Sequence, residues 1–154
     1  MNAEAKLAEL GLQLPPAPEA KGLYKPLVIA GNLAYTAGHL PVASDGSITA
    51  GRVGAELDKD AGYEAARRAG LAILATLRKE LGTLDRVRRV VKLLGVVNCT
   101  DDFDQQPAVL NGCSELLAEV FGPDTGVGAR SAIGTNTLPL GVPVQIEAIF
   151  EITP

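Results

Sequence analysis

The chain reads as an α+β fold, a single sheet with two helices packed on one face. Three observations predict it. Two long stretches carry apolar residues at helical spacing, several short apolar runs are bounded by Gly, Pro or Asn, and the last run alternates apolar with mostly polar residues.

In chain order, residues 3–10 make a short helix, with Leu7 and Leu10 on one side and Gly11 at its end. Pro15-Pro16-Ala17-Pro18 then forbids helix and marks an extended segment. Leu27-Val28-Ile29-Ala30 and Leu33-Ala34-Tyr35-Thr36, separated by Gly31-Asn32, read as a hairpin, and Ser47-Ile48-Thr49 as a third short strand. From 58 to 81 the period is helical: Ala65, Ala69, Ala72, Ile73, Leu77 and Leu81 share one side and Gly82 ends the helix. The Ala-rich inner face predicts close packing on a sheet.

The most strand-like run, 89–97, is expected at the sheet centre. Residues 106–121 form a second amphipathic helix, with Val109, Leu110, Leu116, Leu117 and Val120 on one side. Strands are expected at 131–136 and 142–152, joined by a turn at Leu138-Pro139-Leu140-Gly141. In the last strand Val144, Ile146, Ala148, Phe150 and Ile152 alternate with Gln145, Glu147, Ile149 and Glu151. The order β-β-(β)-α-β-α-β-β leaves one sheet face to meet water or copies of itself. We read 1–154 as one domain, with 1–16 as an N-terminal extension.

Composition narrows the function. With 154 residues, 47% hydrophobic and 21% charged, the chain can bury a core that offsets its conformational entropy. A net charge of −4, scattered basic residues and no Trp make a poor surface for nucleic acid, which is not expected as a partner. The first residues show no secretory pattern, and no apolar run approaches the roughly 20 residues of a membrane helix. Cys99 and Cys113, with a single His, form no CxxC or zinc pattern; they read as reduced, half-buried thiols of a cytoplasmic protein. No metal or cofactor is expected.

Walker, GxGxxG, HExxH, GxSxG and CxxC motifs are absent. What stands out is Gly126-Val127-Gly128-Ala129-Arg130-Ser131-Ala132-Ile133-Gly134, where a Gly-rich approach delivers one Arg to the start of an apolar strand. A permanently charged guanidinium there needs an anion, and its planar donors suit a bidentate carboxylate. Two readings stand side by side: an Asp or Glu of the chain pairs with it, or a small carboxylate ligand does. His39 in Gly38-His39-Leu40-Pro41 reads as a satisfied loop residue, and Tyr24 and Tyr35 as packing residues with bonded hydroxyls. Asn98 and Asn111 can orient a ligand or satisfy backbone. Ser131 has no obvious base beside it and is rejected as a nucleophile.

Taken together, Gly22-Leu23-Tyr24, the Tyr35 to Pro41 run, the long helix, the strand from Val90 to Asn98 with Asp101-Asp102-Phe103, Asn111, Ala129-Arg130-Ser131, Leu138-Pro139 and the Val144 to Ile149 strand resemble the Rid family. That family is also called YjgF-like and carries an old endoribonuclease L-PSP label. The resemblance runs from about residue 17 to 152, and its specific part is Ala-Arg-Ser followed by Leu-Pro and the Val-x-Ile-Glu-Ala strand.

It implies a chorismate-mutase-like fold, a homotrimer with ligand clefts between subunits, and hydrolysis of reactive enamines and imines of the 2-aminoacrylate type to 2-oxo acids and ammonia. Arg130 is then the carboxylate clamp, and Tyr24, the backbone at Gly38, His39, Asn111 and the backbone at Ala132 line the cleft. Three positions depart from the deaminase pattern. Ala132 stands where Cys is typical, Gln145 where a Glu handles water, and His39 where Gln is usual. An amide at 145 keeps hydrogen bonding but loses general-base capacity. The expectation is therefore a small-carboxylate-binding trimer that hydrolyses imines with Gln145 positioning water. A non-catalytic metabolite-binding or regulatory protein is the close alternative, and an endoribonuclease a distant third.

Overall fold

In the computed structural model, which describes residues 2–154, the long helical stretch is bounded by the signals its sequence carries. Asp58 Oδ1 accepts from Ala61 N at 2.8 Å to cap helix α2 (Lys59–Leu81), and Gly82 closes it in the left-handed region at φ 85°. Helix α1 is Ala3–Glu9 and helix α3 is Gln106–Phe121. The strands are β1 (Leu27–Ala30), β2 (Leu33–Thr36), β3 (Val87–Asn98), β4 (Ala129–Thr135) and β5 (Val144–Ile152), in the order β1-β2-β5-β3-β4. All pairings are antiparallel except β3 with β4, which α3 connects as a parallel crossover.

Two sequence expectations change. The stretch 47–49 forms no strand; Ile48 makes only an isolated bridge to Val42. The run 89–97 is interior, but β5 takes the middle place, inserted between β2 and β3. Alternation told which face of the last strand is apolar, whereas its place in the sheet is a long-range pairing that no local pattern encodes.

Helices α2 and α3 cover one face. Val144, Ile146, Ala148, Phe150 and Ile152 are buried beneath them with Leu93 and Val97. Small residues permit the contact. A Cβ on Gly112 would come within 3.0 Å of the Arg67 backbone nitrogen, so the two helices meet backbone to backbone, and Gly95 in β3 leaves the space that Leu110 fills. Cross-helix pairs of Tyr63 with Glu115 and Arg67 with Glu119 line the rim of that contact. The cysteines are free and buried rather than half-buried: Cys113 lies in the α2–α3 contact against Gly70, where burial pushes its thiol up to about 12.

The opposite face carries Tyr35, Ile149 and Lys92 in one row, Glu147, Leu94 and Ser131 in the next, and Gln145, Val96 and Ile133 in a third. Tyr35 and Ile133 stay exposed there, so the chain's own elements leave this face open.

Candidate functional site

The chain holds its predicted site residues as two separate groups. The first is built on the helix side of edge strand β4. Arg130 pairs in register with the buried Leu93, and its side chain reaches α3, where Nη1 donates to Asn111 Oδ1 at 2.8 Å and to Ser114 Oγ at 3.1 Å. Asn111 and Ser114 are three residues apart, so both project from one side of the helix. Ser114 was not among the residues singled out from sequence; its spacing from Asn111 is the signal that finds it.

Both partners of Arg130 are neutral. Among the described residues no carboxylate lies within ion-pair distance of the guanidinium, and the ion pairs of the chain involve other bases. The two Nη1 hydrogens are occupied, which leaves the Nε and Nη2 edge, the fork that matches a carboxylate with two parallel hydrogen bonds. Ala132 follows on the same strand, half-buried beside Gly95, and β4 has no strand on its outer side.

The second group sits beside the middle strand, β5. The His39 backbone exchanges hydrogen bonds with Ile146, N to O at 2.7 Å and O from N at 3.0 Å, which lays Gly38 against Gln145. The Gln145 side chain occupies the space a side chain at Gly38 would need, so only glycine lets that amide lie on the backbone. Tyr24 is half-exposed nearby, its hydroxyl accepting from Lys21 N at 3.4 Å, and Tyr24, Gly38 and His39 all line one cavity of about 410 Å³. Gln145 lies on the open face of the sheet and Arg130 on the helix face, so one chain does not bring them together.

The imidazole of His39 is committed elsewhere. Nδ1 donates to Ala37 O at 2.7 Å, Nε2 accepts from the Thr76 hydroxyl of α2 at 2.7 Å, and burial lowers its pKa from the ordinary value. Both ring nitrogens are thus engaged within the chain. Asn98 is likewise internal, donating to Val142 O. Beside Ser131 lies Lys92, with Nζ 2.9 Å from Oγ. There the amine donates and the hydroxyl accepts, an arrangement that does not remove the hydroxyl proton. Among the described residues no cluster of His, Cys, Asp and Glu suits a metal ion, and no helix is long and apolar enough to cross a membrane.

The sequence profile of the family described as "YjgF/chorismate mutase-like, putative endoribonuclease" matches residues 4–149. The chain belongs to this family. Protein TCP17 of Trypanosoma cruzi is 38% identical over 148 residues, which cover 96% of this chain and 92% of the relative. The structure of Atu1372 from Agrobacterium tumefaciens, a protein of unknown function, superposes with a TM-score of 0.88 at 40% identity over 98% of this chain and 94% of that one. RidA from an Antarctic Psychrobacter is 28% identical, with a TM-score of 0.62 over 91% of this chain and 97% of its own. The Rid-like resemblance and the chorismate-mutase-like fold expected from sequence are thus borne out.

Proposed function

We propose that the protein binds small 2-oxo and 2-imino carboxylates in clefts between copies of itself, with Arg130 as the clamp, and that it hydrolyses reactive imines with water held by Gln145. The observation that carries this reading is the free Nε and Nη2 edge of Arg130, fixed from behind by Asn111 and Ser114. The half-sites lie on opposite faces of one chain, and a second copy against the open face is what would join them. Family membership and the likeness to a structure named RidA support the same chemistry.

In the reaction, 2-aminoacrylate tautomerises to 2-iminopropanoate, water adds to the imine carbon, and the carbinolamine loses ammonia to leave the 2-oxo acid. A guanidinium on the carboxylate orients the substrate, and the Gln145 amide orients the water without accepting its proton. The binding-protein reading draws on the same residues, since an amide at 145 and Ala132 in place of a thiol leave a clamp with little acid–base chemistry. The endoribonuclease label fits poorly. The chain carries a net charge of −4, and its one His is buried against Thr76.

Calorimetric titration with pyruvate tests the clamp. Arg130→Ala should weaken binding by about 2–4 kcal/mol without unfolding the protein. Equal affinity in the variant removes Arg130 from the site. Ammonia release from enzymatically generated 2-aminoacrylate then separates the catalytic from the binding reading.

A further inference from the structure

The cavity beside Gly38 is larger and more apolar than a three-carbon acid requires. Its volume is about 410 Å³, within the usual range for small-molecule pockets. Pro18, Pro26, Leu40, Val42 and Ile48 supply apolar wall, and the charged residues that line it, Glu19 and Lys21, are exposed ones. His39, its one buried titratable neighbour, has both ring nitrogens satisfied.

One wall is the extended segment 16–21, and the N-terminal extension fixes it. Ala3 and Leu7 of α1 are buried, Glu4 receives hydrogen bonds from Arg78 and from Leu84 N, Leu12 and Leu14 pack on the core, and Pro15 is buried just before the wall begins. The other side of the mouth is Leu140. It is 73% exposed and holds a left-handed backbone at φ 59°, ψ 13°, a conformation a β-carbon disfavours, so a bulky apolar side chain is kept at the rim against both solvent and backbone preference.

We infer that this cavity takes the side chain of the bound acid and selects branched or aromatic 2-oxo and 2-imino acids over the three-carbon ones. The inference rests on the proposed carboxylate site, because it is the clamp that fixes which end of the ligand enters. Gly38 belongs to both regions: Gln145 packs on it from the sheet, and it opens onto the cavity. A ligand held there by its carboxylate and hydrated at C2 therefore has C3 and beyond facing apolar wall. A methyl leaves the space unfilled, whereas each further buried methylene strengthens binding by about threefold to fourfold.

The test is calorimetry on the full-length protein with pyruvate, 4-methyl-2-oxopentanoate and phenylpyruvate. The larger acids should bind at least about tenfold tighter than pyruvate. Ala17→Phe, which fills the cavity from the half-buried wall, should collapse that ratio to below about threefold, and Leu140→Ser on the exposed turn, where folding is not at stake, should reduce it. Pyruvate binding as tightly as the larger acids overturns the inference while the carboxylate site stands. A preference that survives both substitutions also overturns it, since selection then lies elsewhere. Failure of all three acids to bind overturns the inference together with the carboxylate site.

Discussion

The amide of Gln145 packs against the backbone of Gly38, so close that a Cβ on Gly38 would sit 2.8 Å from Gln145 Cδ. The obstructing atoms are the far end of a flexible, half-buried side chain. Gly38→Ala should therefore displace the amide rather than unfold the protein. Its stability cost should stay below about 1 kcal/mol in chemical denaturation. Turnover that depends on the amide's position should fall by about tenfold or more in the 2-aminoacrylate assay. A loss of several kcal/mol would show that the Gly38 to His39 segment is rigid, and unchanged turnover that the amide does not serve the reaction.

His39 makes stability depend on pH in a definite direction. Its folded pKa is lowered, chiefly by burial. Above the ordinary value of about 6.5 the ring is neutral in both states and contributes no slope. Below it the unfolded chain takes up the proton first, so stability is lost as pH falls from there toward the folded pKa. Urea midpoints measured from pH 8 to pH 5 should decline, and His39→Gln should flatten the decline. An equal slope in both proteins would mean that His39 titrates alike folded and unfolded.

The open sheet face predicts assembly. Light scattering should give about 48 kDa, three copies of the 16.0 kDa chain. A monomer at micromolar concentration would leave Arg130 and Gln145 on opposite sides of one sheet.

Gln145 separates catalysis from binding. Replacing it with Glu supplies a carboxylate that accepts the proton of the attacking water. General-base assistance is worth about 10²–10⁴-fold, so hydrolysis should rise by at least about tenfold, with Ala132 left as it is. Fast wild-type turnover that Gln145→Glu leaves unchanged would place water activation elsewhere.

Local chemistry made much of this legible. The Asp58 cap, the Ala-lined face of α2, the Gly31-Asn32 turn and the alternation of β5 each announce an element within a few residues, and Arg130 stands out because nothing near it in sequence explains a charge at the start of an apolar strand. What stayed hidden is non-local. The insertion of β5 between β2 and β3, the Thr76 hydroxyl that donates to His39, and the wall that residues 16–21 raise over Gly38 all join segments far apart in the chain. Residues 47–49 misled because Ile48 is apolar for the cavity rather than for a sheet.

The claim that one copy supplies Arg130 and another supplies Tyr24 and Gln145 is tested most directly by mixing two defective chains. Arg130→Ala removes the clamp, and Tyr24→Glu, at a residue 52% exposed, sets a repelling carboxylate in the cleft without disturbing the core. Each variant alone should fail to bind 2-oxo acids. Unfolded together in equal amounts and refolded, they should recover about a quarter of the wild-type number of sites, because a cleft is intact only when the Tyr24→Glu parent supplies its Arg130 side and the Arg130→Ala parent its Tyr24 side. Recovery near that fraction is the predicted result. No recovery, with both variants folded and assembled, would contradict the shared site.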